Sequence, residues 1–181
     1  EPRDVFAIPP HLVPAPPTLQ GFEDAVVEKP DPVAMTAEAV GHYCQMNVLE
    51  HEGPKAQIHL AGLLAPLWFS QVRDAVVYTR LPEETAEITA IYVNDMGRAE
   101  SWAEPGDANW VDADEAYFVI DSRQTGGMGV PETIPFGVRS AAETFVSQHG
   151  GKIVRFAEIP EDYVLSPVDT VSPGEPGVPA Q

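Results

Sequence analysis

The apolar positions in the middle of the chain change period twice, in the same order each time. In KAQIHL, residues 55–60, Ala56, Ile58 and Leu60 alternate with Gln57 and His59, the period-two pattern of a half-buried strand. In LAPLWFSQVRDAVVYTR, Trp68, Val72, Ala75, Val76 and Thr79 fall at helical spacing. Pro66 is tolerated in the first turn and Pro82 forces a stop. EITAIYV, β-branched and aromatic, then reads as a strand. The order returns further on. AYFVID, residues 116–121, is a continuous apolar run of strand length, which predicts burial on both faces. SAAETFVSQHGG predicts a helix with Ala141, Ala142, Phe145 and Val146 inward, Ser140 and Glu143 at capping-box spacing, and Gly150–Gly151 as the stop. KIVRFAEI reads as a last strand.

Strand, helix, strand, twice over at a period of about 60 residues, points to an α+β fold of two related small units packed on a shared core. The ends of the chain lack periodicity. Of the 19 prolines, 8 lie in the first 32 residues, and proline fixes φ and removes a donor, so residues 1–33 are expected to form an extended Pro-rich arm. A second Pro-rich stretch sets residues 160–181 apart as a disordered tail. The first unit then covers 34–97 and the second 98–159.

Charge narrows the partners. A formal net charge of −18 repels phosphate backbones and anionic lipid, which argues against nucleic acid and against direct adsorption to a membrane surface. No apolar run approaches the roughly 20 residues that span a bilayer. One cysteine cannot form an internal disulfide, so Cys44 is either inert and buried or kept for its chemistry.

Cys44 lies in GHYCQMNVLEH, two places before Met46 and two after His42. If this stretch is extended, Cys44 and Met46 share a face with Cα atoms about 6.6 Å apart. Thiolate and thioether are soft donors that select Cu(I). The competing interpretation is that both are ordinary core residues. Met128 lies in TGGMGVPETIPFG, a polar, glycine-rich loop with little core to bury a methionine, and flanking glycines let the backbone offer its sulfur outward. The rival is a methionine that plugs the edge of the core. His42 is either a third ligand or a base for the thiol. His51 and His59 are expected at the surface, His149 at a helix C-terminus, and Met35 and Met96 in packing. The acidic run at 112–115 lacks the spacing of a calcium loop and reads as a turn.

Cys-x-Met early in the chain and Gly-Met-Gly before the second helix, over roughly residues 38–157, resemble the NosL family of accessory lipoproteins of nitrous oxide reductase. The resemblance implies a periplasmic Cu(I)-binding protein, not an enzyme, that delivers copper for assembly of the reductase's copper–sulfur centre. It also implies two related halves arranged as in organomercurial lyases. Cys44 and Met128 are then the expected Cu(I) ligands, with Met46 matching the motif methionine and the third ligand open among Met46, His42 and water. The partner is apo nitrous oxide reductase, and the upstream donor is unspecified. Relatives often carry a further cysteine three positions before the motif cysteine, where this chain has Gly41. The family's lipid-bearing N-terminal cysteine is also absent from this chain. Membrane attachment would come only through such an anchor, with the Pro-rich arm as spacer.

The expected mechanism is capture by the Cys44 thiolate, closure by Met128 on a glycine hinge, and release by ligand exchange with a partner. Two other classes stand beside it: a cysteine-dependent enzyme of lyase type, with Cys44 as nucleophile and His42 as base, and a non-metal interaction domain whose sulfurs are core atoms.

Overall fold

The computed structural model describes residues 28–165. Residues 1–27 of the Pro-rich arm and 166–181 of the tail lie outside the described residues. Among the described residues, seven strands form two antiparallel sheets. The first contains β1 (Ala56–Leu60), β2 (Leu67–Phe69), β3 (Ile88–Asn94) and β4 (Trp110–Asp112) in the order β2-β1-β3-β4. The second contains β5 (Tyr117–Ile120), β6 (Ile134–Phe136) and β7 (Lys152–Val154) in the order β6-β5-β7. Helix α1 (Val72–Arg80) joins β2 to β3, and α2 (Arg139–His149) joins β6 to β7. Each half is therefore a ββαβ unit whose first strand is central, paired antiparallel to the second and third.

This unit has one more strand than the sequence pattern suggests. Leu67, Trp68 and Phe69, of which Trp68 fits the helical period, instead pair with Ile58, Gln57 and Ala56. Bulky and aromatic residues suit a pleated surface, and pairing with an adjacent strand outweighs a helical periodicity that begins at a proline. The helix starts only at Val72, after Ser70 and an extended Gln71 (φ −133°, ψ 141°). It ends at Leu81, whose extended conformation suits the residue before Pro82.

The alternation in β1 is also misleading, because all five of its residues are buried. Gln57 exchanges hydrogen bonds with the backbone N–H and C=O of Val33, each at 2.9 Å, and shares a 2.8 Å bond with His59 Nε2. The segment before the first unit thus covers the polar face of the strand, and His59 is a satisfied interior residue rather than a surface one. β4, unmarked by any strong pattern, extends the first sheet at its far edge. Glu161–Leu165 forms α3, inside the stretch read as tail, and it packs on α1 with Val164 buried.

At α2 the helix begins one residue before Ser140, so the capping box cannot form. Val138 is the N-cap, and Glu143 accepts from Arg139 Nε at 3.0 Å. The C-terminal stop does form. Gly150, at φ 74°, donates its N–H to the Val146 carbonyl, and His149 stacks on Phe145 with ring centroids 4.4 Å apart.

One core runs through both halves. Ile58, Val72, Val76 and Val93 from the first sheet and helix meet Phe118 from β5 and Val164 from α3. The neighbouring Val119 points into a second cluster with Ile134, Phe136 and Ala142. The continuous apolar run in β5 is thus buried on both faces, as its pattern requires. A third, smaller cluster of Met35, Ala39 and Val48, with Trp68 and Trp110 against it, supports the segment that carries Cys44.

Candidate metal centre

Residues 41–46 form a tight turn, not a strand. Val40 bridges Asn47, Gly41 N–H donates to the Met46 carbonyl and Gln45 N–H to the Gly41 carbonyl, both at 2.9 Å. Gln45 sits at φ 56°, a left-handed conformation held by its own amide, which donates to the His42 carbonyl at 2.7 Å. Local hydrogen bonds have won over extension in a segment with no alternating pattern. Cys44 and Met46 therefore do not stand as same-face neighbours of a pleat.

Cys44 is half-buried at the tip of this turn, and its Sγ lies 3.1 Å from Ser70 Oγ. A Cβ at Gly41 would stand 2.5 Å from Cys44 Sγ and 3.0 Å from Ser70 Oγ, so the bare glycine leaves the sulfur its place. Met46 is exposed. The His42 ring packs among Tyr43, Phe69 and Tyr78, with centroids 5.1–5.8 Å away. The hydrogen-bond partner nearest the thiol is thus a serine, and the histidine's contacts are with aromatic rings. Val40, Tyr43 and Met46, in the same segment, are exposed.

Met128 comes from the other half, in the β5–β6 connection. Thr125 bridges Pro131, Gly126 N–H donates to the Val130 carbonyl at 2.8 Å, and Gly129 N–H closes a turn on the Gly126 carbonyl at 2.9 Å. The loop is less free than its glycines suggest. A Cβ on Gly127 would run into the Glu52 carbonyl oxygen, so the loop is seated against the chain that follows the thiol turn. The base is fixed as well. Glu132, with no exposed surface to speak of, accepts from the N–H groups of Val72 (3.1 Å), Arg73 (2.7 Å) and Thr133 (2.8 Å). Arg73 Nη1 returns a 2.8 Å bond to the Pro131 carbonyl. Met128 itself stands out from this fixed base and is 44% exposed.

The start of α1 is where these contacts converge. Ser70 meets Cys44 Sγ, Gln71 Nε2 donates to Met128 Sδ at 3.2 Å, and Val72 and Arg73 hold Glu132. Four consecutive residues, SQVR, thus receive one sulfur from each half and the carboxylate that anchors the second. In the sequence they read as part of a helix. Their only trace was the break in apolar character between Phe69 and Val72.

The buried charges show their environment. Burial pushes the Glu132 carboxyl from 4.5 up to about 7, against the pull of its three backbone donors. Burial also raises Asp74, which accepts from Gln71. Lys55 Nζ donates to the carbonyls of His51 and Gly53, and burial brings its ammonium from 10.5 down to about 8. A cavity of about 700 Å³, lined by Met35, His51, Lys55, Arg98 and Asn109 among others, includes neither Cys44 nor Met128. Among the described residues no group of three or more His, Cys, Asp and Glu side chains is placed to hold a metal.

The model of the NosL family matches residues 32–164. The chain belongs to the NosL family. It is 52% identical over 155 residues to the copper-binding lipoprotein NosL of Achromobacter cycloclastes, covering 85% of this chain and 80% of that protein. It is 30% identical over 140 residues to the copper-binding lipoprotein NosL of Stutzerimonas stutzeri, covering 77% and 71%. Among solved structures, the copper chaperone NosL from Shewanella denitrificans superposes with a TM-score of 0.67 at 34% identity, over 72% of this chain and 96% of that one. The mixed fold of antiparallel sheets and few helices is thus the NosL fold.

Proposed function

We propose that this NosL protein binds Cu(I) through Cys44 and Met128 and passes it on for assembly of the copper–sulfur centre of nitrous oxide reductase. The observation that carries the reading is the seating of one sulfur from each half on adjacent residues, Ser70 and Gln71. The copper-binding and chaperone roles named for its relatives support copper as cargo and a non-enzymatic role. Their designation as lipoproteins supports attachment to a membrane, and the denitrification partner implies the periplasmic side. The doubled ββαβ arrangement supports an organomercurial-lyase-like organisation of the halves.

A thiolate and a neutral thioether form a soft, low-charge donor pair, which suits a monovalent copper ion at a partly buried position. On capture the thiol gives up its proton and forms the sulfur–copper bond. The Ser70 hydroxyl, 3.1 Å from Sγ, is placed to donate to the thiolate. Met46, exposed beside the turn, and His42, half-buried, supply the further ligands to be tested, with water as the alternative. So few protein ligands leave a coordination position open for a ligand of the acceptor, and the exposed Val40, Tyr43 and Met46 of the thiol segment provide apolar surface for the acceptor to contact.

The test is titration of the reduced protein with Cu(I) against a competing chelator. One ion should bind tightly. Cys44→Ala should weaken binding by about 100-fold or more, roughly one ligand's share of a soft metal site, and Met128→Ala by about 10-fold. Affinity unchanged by both substitutions would remove the proposed site. Failure of the loaded protein to restore copper in apo nitrous oxide reductase would remove the proposed acceptor.

A further inference from the structure

The Gln71 side chain is 97% withdrawn from solvent, with 3% of its surface exposed, and its amide faces the outgoing sulfur of the second half. Its nitrogen carries two hydrogens and has two acceptors, Met128 Sδ at 3.2 Å and Asp74 Oδ2 at 3.3 Å. Its oxygen has no hydrogen-bond partner among the described residues. That oxygen lies 2.7 Å from where a Gly126 Cβ would stand, so the glycine at the base of the methionine turn makes room for the amide. The opposite orientation would set the amide oxygen against both a carboxylate and the lone pairs of a thioether. Electrostatics therefore select the orientation in which the N–H points at sulfur, even though it leaves a buried oxygen unpaired.

We infer that Gln71 is the positioning residue for Met128, holding its Sδ through an N–H···S bond so that the sulfur's second lone pair is presented to the metal. This rests on the reading of Met128 as a Cu(I) ligand. A thioether has two lone pairs, and a hydrogen bond to one leaves the other available. An unbranched side chain with three rotatable bonds, 44% exposed, otherwise samples many rotamers, and fixing them on metal capture costs affinity. Gln71 removes part of that freedom before the metal arrives. Ser70 Oγ lies within hydrogen-bond distance of Cys44 Sγ, so one dipeptide contacts both sulfurs.

The experiment replaces Gln71 with Leu, which removes the donor at similar volume, and separately with Glu, which is isosteric and, when ionised, only accepts. Two readouts are taken: the methyl NMR signal of Met128 in the metal-free protein and the Cu(I) affinity by chelator competition. Both variants should shift the Met128 methyl toward rotamer-averaged values and weaken Cu(I) binding by about 3- to 10-fold, the worth of one modest hydrogen bond. In a Met128→Ala background, Gln71→Leu should change the affinity no further. Thermal unfolding identifies a variant that does not fold, and the other then carries the test. An unmoved methyl signal in a folded variant overturns the proposal, as does an equal loss of affinity in the Met128→Ala background. If Met128→Ala weakens binding while the Gln71 variants do not, only the positioning role fails. If Met128→Ala has no effect on affinity, the ligand reading fails and takes the positioning role with it.

Discussion

The two helices occupy equivalent places in two ββαβ halves, yet their N-termini are treated in opposite ways. At α2 the N-cap is Val138, no side chain caps the first turn, and the adjacent Arg139–Glu143 pair is largely exposed. At α1 the first N–H groups are bonded to Glu132, a residue 60 positions away, and the two residues before them touch the two sulfurs. Both helix starts meet a loop of the opposite half, but differently. Asp95 and Gly97 pack against Gly137 and Ala141 at α2, whereas at α1 the loop brings a carboxylate that accepts from the first N–H groups and a sulfur beside them. The β5–β6 connection bearing Met128 reaches across to α1, whereas the corresponding β1–β2 connection leaves Leu63 and Leu64 exposed. The topology repeats, but the candidate chemistry sits where the repeat is broken.

The widest test of this comparison is whether the halves unfold as one. Phe118 belongs to β5 but is buried among first-half residues. Phe118→Ala should cost about 3–5 kcal/mol and lower a single denaturation transition. Two separated transitions would show that the halves are independent.

Next in size are the helix starts. Glu132→Ala leaves three buried N–H groups without their acceptor and should cost about 3 kcal/mol or more, together with a displaced Met128 loop. Ser140→Ala, at the exposed start of α2, should change stability by less than about 0.5 kcal/mol by the same chemical denaturation. Equal effects at the two sites would dissolve the contrast.

The finest test uses pH. The folded chain binds the Glu132 proton more tightly than the unfolded chain, because the carboxyl rises from 4.5 to about 7 on folding. Its contribution to stability is complete below pH 4.5 and is lost as pH rises to about 7. Lys55 runs the other way. Its pKa falls from 10.5 to about 8, so the cost of burying the ammonium is relieved as pH climbs from 8 toward 10.5. Stability should therefore pass through a shallow minimum between the two, about 1–3 kcal/mol deep on the acid side. Glu132→Gln should flatten the acid limb and leave the alkaline one, as measured by denaturant midpoints across pH.

Much of the fold was legible because hydrophobic period reports burial directly. β5 was read as buried on both faces because its apolar run is continuous, and its neighbouring residues Phe118 and Val119 do enter different cores. The misreadings arose where a neighbour distant in sequence decided the outcome. Trp68 fits a helix until Gln57 pairs with it, and His59 looks solvent-facing until Val33 and Gln57 cover its strand. Ser140 has the right spacing for a capping box, but the helix begins before it.

The candidate site divides along the same line. By itself the sequence determined that the protein has a single thiol, a thioether between glycines, an acidic exterior and a doubled strand–helix–strand pattern, because residue type and local period need no partner to be read. Only the tertiary structure decided that Cys44 sits on a turn rather than a strand, that the glycine loop is tied down at Glu52 and Glu132, and that both sulfurs come to Ser70 and Gln71. The turn rests on local hydrogen bonds that hydrophobic period does not report, and the other outcomes depend on contacts between residues 26 to 75 positions apart, about which one-dimensional periodicity carries no information.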